Sequence, residues 1–170
     1  MRAGSLSAPG AGHLAPKGQT PCLREPFNWQ RLSAIGAVLT TVAGERLRWF
    51  LSFRRGGIHS RHIVGFLESL RRHRRRPVIL LWDRLPAHRS RLTRTALQRH
   101  RPWLSIDWLP AYAPELNPVE PLWAYLDNTA LANTPHDNLE ALRRQVRKRL
   151  AAVQRHSRVG RGFLKYTGLF

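Results

Sequence analysis

Apolar residues along the chain fall into short runs that predict strands. Residues 32 to 42 and 46 to 53 are apolar segments separated by a turn, as in a pair of connected strands. The sequence VILLW, residues 78 to 82, is a continuous apolar run of the kind found in strands that are buried on both faces of a parallel sheet. In LSIDWL, residues 104 to 109, apolar and polar residues alternate, which predicts a further strand.

Apolar residues spaced three and four apart predict helices between and after these strands. The helices cover residues 59 to 76, 89 to 100, 117 to 132 and 135 to 156, and Pro77 stops the first of them. The narrow apolar stripe of the last helix is formed by Leu139, Leu142, Val146 and Leu150. The order of strands and helices predicts an α/β fold in which helices flank a mixed sheet.

The length and composition of the chain predict one soluble domain. Its 170 residues, of which 42% are hydrophobic, suffice for a single core. We place that domain at residues 31 to 156, between an irregular segment at 1 to 30 and a C-terminal tail at 157 to 170. The one cysteine, Cys22, excludes a disulfide framework and a cysteine-based zinc site, and it suits a reducing cytosol. No apolar run reaches the length of a membrane span, and the N-terminus lacks the apolar core of a secretory signal.

The chain is strongly basic, with 29 Lys and Arg residues against 10 Asp and Glu residues and a net charge of +19. A surplus of this size favours a polyanion as partner, usually nucleic acid, although a merely solvated basic surface is the alternative. The runs RRHRRR and RRQVRKR are basic enough to hold phosphates, but basic helix ends are also common without that role. Their candidate DNA-binding residues are Arg71, Arg72, Arg74, Arg75, Arg76, Arg143, Arg144, Arg147, Lys148 and Arg149.

Asp83 directly follows the run VILLW. In open α/β sheets ligands bind beyond the carboxyl ends of the strands, so a carboxylate at this point is a candidate for chemistry. A strand-end aspartate is also a common turn former or helix cap, and the following DRLPAHRS would suit that role. The position of Asp83 by itself leaves both interpretations open.

Glu120 lies in LPAYAPELNPVEPLW, residues 109 to 123. Asn117 reads as a helix N-cap, Pro118 as the first helical residue and Glu120 as the third. This is the spacing of a capping box, and a first-turn glutamate also complements the helix dipole. A capping role and a functional role are compatible, because a capping position also holds the carboxylate at the rim of the sheet.

The two segments LLWDRLPAHRS and DWLPAYAPELNPVEPLWAYL together resemble the second half of a DDE transposase catalytic domain. The resemblance is to the bacterial insertion-sequence branch related to mariner elements. In that family a strand ends in an aspartate that is followed five residues later by a histidine, here Asp83 and His88. A later strand runs into a Leu-Pro-x-Tyr-x-Pro-x-Leu-Asn-Pro-x-Glu segment, here Leu109 to Glu120. APKGQTPCL and SAIGAVL resemble earlier segments, so the resemblance covers roughly residues 14 to 150.

The resemblance implies an RNase H-like fold that cleaves and joins DNA strands with Mg²⁺ or Mn²⁺. Hard divalent cations take oxygen ligands, and a pair of them activates the attacking oxygen and stabilises the leaving one. By resemblance, Asp83 is the second and Glu120 the third of the acids that hold these ions. The other motif positions, with a supporting role, are His88, Asn117, Pro118 and Tyr112.

Two of these supporting residues keep alternative interpretations. We expect His88 to orient its loop or to contact phosphate, and a plain helix-start histidine is the other reading. Tyr112 is either a core residue or a platform on which a base stacks.

The first acid of the family pattern has no counterpart in the chain. The family places it in a strand upstream of APKGQTP, whereas residues 1 to 24 contain no Asp or Glu and Glu25 follows GQTP. We therefore expect the first, central strand to be missing or degenerate, and the catalytic domain to be truncated and inactive alone. A catalytically dead remnant that binds DNA non-specifically is the alternative function.

The resemblance also bears on partners and location. It implies DNA as a partner, a separately encoded helix-turn-helix portion that finds the ends of the element, and a homodimer as a candidate assembly. It places the protein in the bacterial cytoplasm at the nucleoid, without membrane contact.

Overall fold

The computed structural model describes residues 2–6, 32–131 and 139–168. Three antiparallel strands form one sheet in the order β1-β2-β3, and two parallel strands, β4 and β5, form a second. The strands are β1 (Arg2–Leu6), β2 (Leu32–Leu39), β3 (Arg48–Arg55), β4 (Val78–Trp82) and β5 (Leu104–Trp108). The helices are α1 (Ser60–His73), α2 (Pro86–Arg89), α3 (Arg91–Arg99), α4 (Val119–Leu126), α5 (Leu139–Arg155) and α6 (Ser157–Tyr166), with a π-helical turn at Asp127–Leu131.

Strand β2 lies between two apolar cores because both of its faces are apolar. On one face Ala34 packs with β3, α4 and α5, and this core includes the predicted stripe of α5. On the other face Ile35 and Ala37 pack with α1 and with Trp82 at the end of β4. Helices therefore cover both sides of the central strand, which confirms the predicted mixed α/β architecture.

Strand β4 departs from the prediction of a strand buried on both faces. Val78, Leu80 and Trp82 pack into the core beside α1, whereas Ile79 is 70% exposed. The reason is that α4 and α5 pack across β2 and β3 and leave this side of β4 open. The parallel pairing was predicted correctly, since β4 pairs with β5 from Val78–Leu104 to Trp82–Trp108.

The N-terminal segment was predicted to be irregular, but Arg2–Leu6 pairs as strand β1 along β2. The pairing runs from Arg2 opposite Gly36 to Leu6 opposite Leu32. RAGSL lacks β-branched and aromatic residues, so local propensity gives no strand signal and the pairing partner decides the structure. Strand β1 contains no acidic residue. The remainder of the segment, residues 7–31, lies outside the described residues.

Several helix ends also differ from the prediction. Helix α1 ends at His73 rather than at residue 76, because Arg74 is extended while its backbone N–H still bonds Leu70. The helix predicted at 89 to 100 is split by the extended Ser90, whose hydroxyl caps α3 by accepting the Thr93 N–H. Residues 157 to 170 were interpreted as a tail, yet α6 occupies Ser157–Tyr166.

Candidate active site

The ends of β4 and β5 bring the two motif segments side by side. The Leu109 N–H donates to the Trp82 carbonyl oxygen at 2.8 Å, so the chain leaves the two strands at the same edge of the sheet. The Arg84 Nε then donates to the Leu109 carbonyl oxygen at 3.2 Å. The segment that begins with Asp83 is thereby tied to the start of the loop that leads to Glu120.

The Asp83 carboxylate is held by two donors on one oxygen. Its Oδ1 accepts from His88 Nδ1 at 2.5 Å and from the Leu85 backbone N–H at 3.2 Å. Partial burial disfavours the charged form, but the hydrogen bond and the charge from His88, with the Leu85 N–H, outweigh it and lower the pKa of Asp83. Asp83 is therefore an ionised, oriented carboxylate at the carboxyl end of a strand.

His88 belongs to the core although it lies in a four-residue helix. It is fully buried, and its ring stacks on Trp82 with a centroid distance of 4.2 Å. Trp82 stacks in turn on Trp108 at 5.7 Å, with nearly parallel planes. Its Nε2 is enclosed, and the ring is held between the Asp83 carboxylate, which Nδ1 contacts, and the apolar indole of Trp82. The histidine thus links the carboxylate to the core.

The hydrogen bonds before α4 differ from a capping box. The buried Asn117 caps the helix, since its Oδ1 accepts from the Val119 N–H at 3.2 Å. In a capping box the Glu120 carboxylate would accept from the Asn117 backbone N–H, but that N–H donates to the Pro114 carbonyl oxygen at 2.9 Å. The Asn117 N–H is therefore satisfied within the preceding turn, and Glu120 is a half-buried first-turn carboxylate with Oε1 enclosed.

Helix α4 is fixed against β2 by a close approach at Gly36. A Cβ atom on Gly36 would lie 2.8 Å from Val119 Cγ1 and 2.8 Å from Trp123 Cζ2. Glycine is required here because any side chain would push the first turn of α4 from the sheet. Since Gly36 also pairs with Arg2, Val119 and Trp123 of α4 pack on β2 where it pairs with the start of β1. The convergence of Asp83 and Glu120 on one ion stays a prediction.

The loop between β5 and α4 displays Tyr112. Its side chain has a relative exposure of 102%, which rules out the core interpretation. Its φ is 57°, in the left-handed region that residues other than glycine rarely adopt. Pro114–Leu116 then forms a 3₁₀ turn that leads into Asn117.

The basic cluster at the end of α1 lies at the other edge of the sheet from Asp83. The Val78 N–H, which opens β4, bonds the Trp103 carbonyl oxygen at 2.8 Å, and the Arg71 guanidinium lies 5.4 Å from the Trp103 ring centroid. Arg71, Arg72 and Arg75 line an open cavity of about 530 Å³. These residues are separated from Asp83 by the length of β4.

The basic cluster on α5 is partly engaged within the chain. Arg143 and Arg147 both lie 5.9 Å from the Phe53 ring centroid, and Arg143 also pairs with Glu140 at 3.7 Å. The contribution of either cluster to DNA binding stays a prediction.

Arg84 lies beside the candidate site and is not among the residues predicted from the sequence. It follows Asp83 directly, is exposed, and ties the two loops through Leu109. Its position next to a strand-end acid was the available signal, but the tie depends on the β4–β5 register, which is a property of the fold.

Comparison with known proteins identifies the family. The model of the DDE superfamily endonucleases matches residues 7–143. The chain belongs to this family. No curated protein sequence matches the chain.

Solved structures of the Mos1 transposase have the fold of this DDE family chain. The Mos1 strand transfer complex matches with a TM-score of 0.62 and 17% identity over 98% of this chain and 52% of that chain. The Mos1 mariner paired-end complex with Mn matches with a TM-score of 0.63 and 19% identity over 92% of this chain and 48% of that chain. The Mos1 catalytic domain with Raltegravir and Mg matches with a TM-score of 0.60 and 20% identity over 82% of this chain and 73% of that chain.

These matches establish the fold and the extent of the likeness. The RNase H-like fold inferred from the resemblance is confirmed. The chain spans about half the length of the Mos1 proteins in the two complexes. No helix in the described ranges is long and apolar enough to cross a membrane.

Proposed function

We propose that this DDE family chain is part of a transposase catalytic domain that cleaves and joins DNA strands with Mg²⁺ or Mn²⁺. The observation that carries the proposal is the Asp83–His88 pair at the carboxyl end of β4. A carboxylate that is ionised and held in place by a buried ring is suited to binding a hard cation at a sheet edge. Membership of the endonuclease family and the Mos1-like fold support the same function.

The donor chemistry of the site fits a divalent cation in part. Asp83 and Glu120 supply oxygen ligands, and both hydrogen bonds to Asp83 described above end on Oδ1. Within the described ranges no three or more His, Cys, Asp or Glu residues are grouped closely enough to hold a metal ion. A bound pair of ions would activate the attacking oxygen and stabilise the leaving one. The two acids therefore suit one hydrated ion better than a complete pair.

The neighbouring residues would orient the DNA and the acids. His88 holds Asp83, the Asn117 cap and the Gly36 contact hold the turn that carries Glu120, and Arg84 offers a guanidinium to phosphate beside Asp83. These roles need a preorganised site, which the buried His88 and the packed helix provide.

Binding of Mn²⁺, followed by the electron paramagnetic resonance signal of the unbound ion, tests this proposal. We expect weak binding by the wild-type chain, and loss of that binding in Asp83→Asn and in Glu120→Gln. Asp107→Asn is the matched control, because Asp107 is an exposed acid on the neighbouring strand β5.

The control variant should bind Mn²⁺ like the wild type. Equal affinities of the wild type, Asp83→Asn and Glu120→Gln would contradict a site built on these two acids.

A catalytically dead remnant that binds DNA non-specifically is the second candidate. The absence of an acid from β1, together with the absence of Asp and Glu from residues 1 to 24, favours it. The net charge of +19 would then serve Arg–phosphate contacts that release counterions from DNA.

A separately encoded helix-turn-helix portion and a second copy of the chain are the partners we propose for an active assembly.

The salt dependence of duplex DNA binding tests the second candidate. We expect little sequence preference and a log–log slope of affinity against salt steeper than about −3, as for several phosphate contacts. A flat slope would show that the charge serves another purpose. Binding with this slope and without Mn²⁺ uptake would favour the remnant over the enzyme.

A further inference from the structure

Tyr112 combines two properties that its turn does not require. Its ring is fully exposed, and its backbone lies at φ 57°. Among the described residues it is the one non-glycine residue with positive φ. Glycine or asparagine takes this conformation with less strain, and so the tyrosine at this position calls for a functional explanation.

The loop holds Tyr112 next to the candidate site. Leu109, three residues before it, bonds both Trp82 and Arg84 on either side of Asp83. Three residues span at most about 10 Å. On the other side Pro114–Leu116 leads into Asn117, the cap of the helix that carries Glu120. Tyr112 is therefore the exposed aromatic residue of the segment that links the two candidate acids.

The chemistry of the ring selects the part of the substrate that it contacts. Phosphates would be held by cations such as Arg84 and the ions at the acids, whereas a phenol ring offers a flat surface for stacking. A base inside a duplex has both faces covered by its neighbours, so away from a duplex end a stacking ring needs a base that has left the stack.

We propose that Tyr112 stacks on an unpaired base of the DNA beside the bond that is cleaved. This inference rests on the proposed function, since it takes the substrate to be DNA bound at Asp83 and Glu120. It adds that the chain prefers DNA with unpaired bases at this point, such as a frayed or single-stranded end.

Binding to two DNA probes tests the proposal. One is a blunt duplex, and the other is a duplex of the same length that ends in a short single-stranded overhang. We expect Tyr112→Ala to weaken binding of the overhang probe by about tenfold, the size of loss found when a base–aromatic stack is removed, and to change binding of the blunt probe little. Tyr112→Phe keeps the ring and should bind both probes like the wild type.

Two further variants separate a contact from a folding effect. Tyr166→Ala removes another exposed tyrosine, on α6, and should change neither affinity. Tyr112→Gly relieves the backbone strain while it removes the ring. It should raise the melting temperature and still lose preference for the overhang, an outcome that misfolding cannot produce.

The possible outcomes distinguish this inference from the proposed function. Equal binding of the overhang probe by wild type and Tyr112→Ala, or an equal loss on both probes, would overturn the stacking role and leave the proposed function standing. Dissociation of a self-associated chain by Tyr112→Ala, with unchanged DNA binding, would assign the ring to a protein contact instead. Failure of the wild type to bind either probe would contradict the proposed function itself.

Discussion

The two candidate acids are held in different ways. Asp83 is fixed by its own side chain, through a short bond to the buried His88. Glu120 is fixed through its backbone, by the Asn117 cap and by the packing of Val119 and Trp123 on Gly36. The orientation of Asp83 therefore depends on one neighbouring side chain, whereas the position of Glu120 depends on a whole helix. The following predictions test this difference.

The largest effect follows from the proposal that Asp83 and Glu120 act without a third acid. In a two-ion site, a missing acid would remove ligands of the second ion and several kcal/mol of transition-state stabilisation, which corresponds to a rate decrease of at least about a thousandfold. We expect the 170-residue chain to leave supercoiled plasmid DNA intact in Mg²⁺ or Mn²⁺. Nicking by the wild-type chain that disappears in Glu120→Gln would show that the two acids suffice.

A substitution at Gly36 tests how the packing of α4 holds the turn that carries Glu120. Gly36→Ala places a Cβ atom 2.8 Å from Val119 and Trp123, and such overpacking typically destabilises a protein by about 1–3 kcal/mol. The free energy of unfolding from urea titration measures the effect. Gly65→Ala is the matched control, because no atom lies within 4 Å of its added Cβ and alanine favours the interior of α1 by about 0.5–1 kcal/mol. Destabilisation by both variants would contradict the specific contact at Gly36.

Asn117 tests the cap. Asn117→Ala removes the acceptor for the Val119 N–H and should lower the free energy of unfolding by about 1 kcal/mol. Asn117→Asp keeps an acceptor and should restore most of the loss. Had Glu120 shared the cap, Glu120→Gln would be expected to affect stability in the same way. We expect instead that Glu120→Gln changes the stability less than Asn117→Ala.

The pH dependence of the free energy of unfolding tests how the side chain of Asp83 is held. Because the folded state lowers the pKa of Asp83 below its ordinary value of 3.8, the carboxylate stabilises the fold above that pH. This stabilisation is lost as the pH falls through the lowered pKa. Asp83→Asn should therefore be less stable than the wild type near neutrality and approach it in acid, as followed by urea unfolding at several pH values. A constant difference would assign the effect of the substitution to packing.

The strands whose own apolar pattern determines their structure were predicted from the sequence. VILLW and the alternating LSIDW are strands because their side chains fit a sheet, and both were placed correctly within a residue. Strand β1 was missed because the residues of RAGSL have little strand preference of their own and form a strand by pairing with β2. Helix α6 was missed because two glycines weaken its local preference, yet Gly160 is what allows it to approach Trp49.

The residues of the candidate site could be named from the sequence, whereas the contacts that hold them could not. Asp83 and Glu120 could be named from their positions in the motif, but the spacing from Asn117 to Glu120 suggested a reciprocal cap. The 3₁₀ turn at Pro114–Leu116 takes the Asn117 N–H, and this geometry is invisible in the spacing. The burial of His88 was equally hidden, because it arises where Trp82 and α2 meet.

The stack of His88 on Trp82 has a consequence for which substitutions the chain can accept. A substitution at His88 would disturb the core as well as the carboxylate, so a copy that still folds keeps Asp83 oriented. Loss of the Asp83 carboxylate would leave the stack itself in place, at the cost of the stabilisation that the bond to His88 provides. In copies selected for folding alone, the histidine–tryptophan stack would therefore persist longer than the acid beside it.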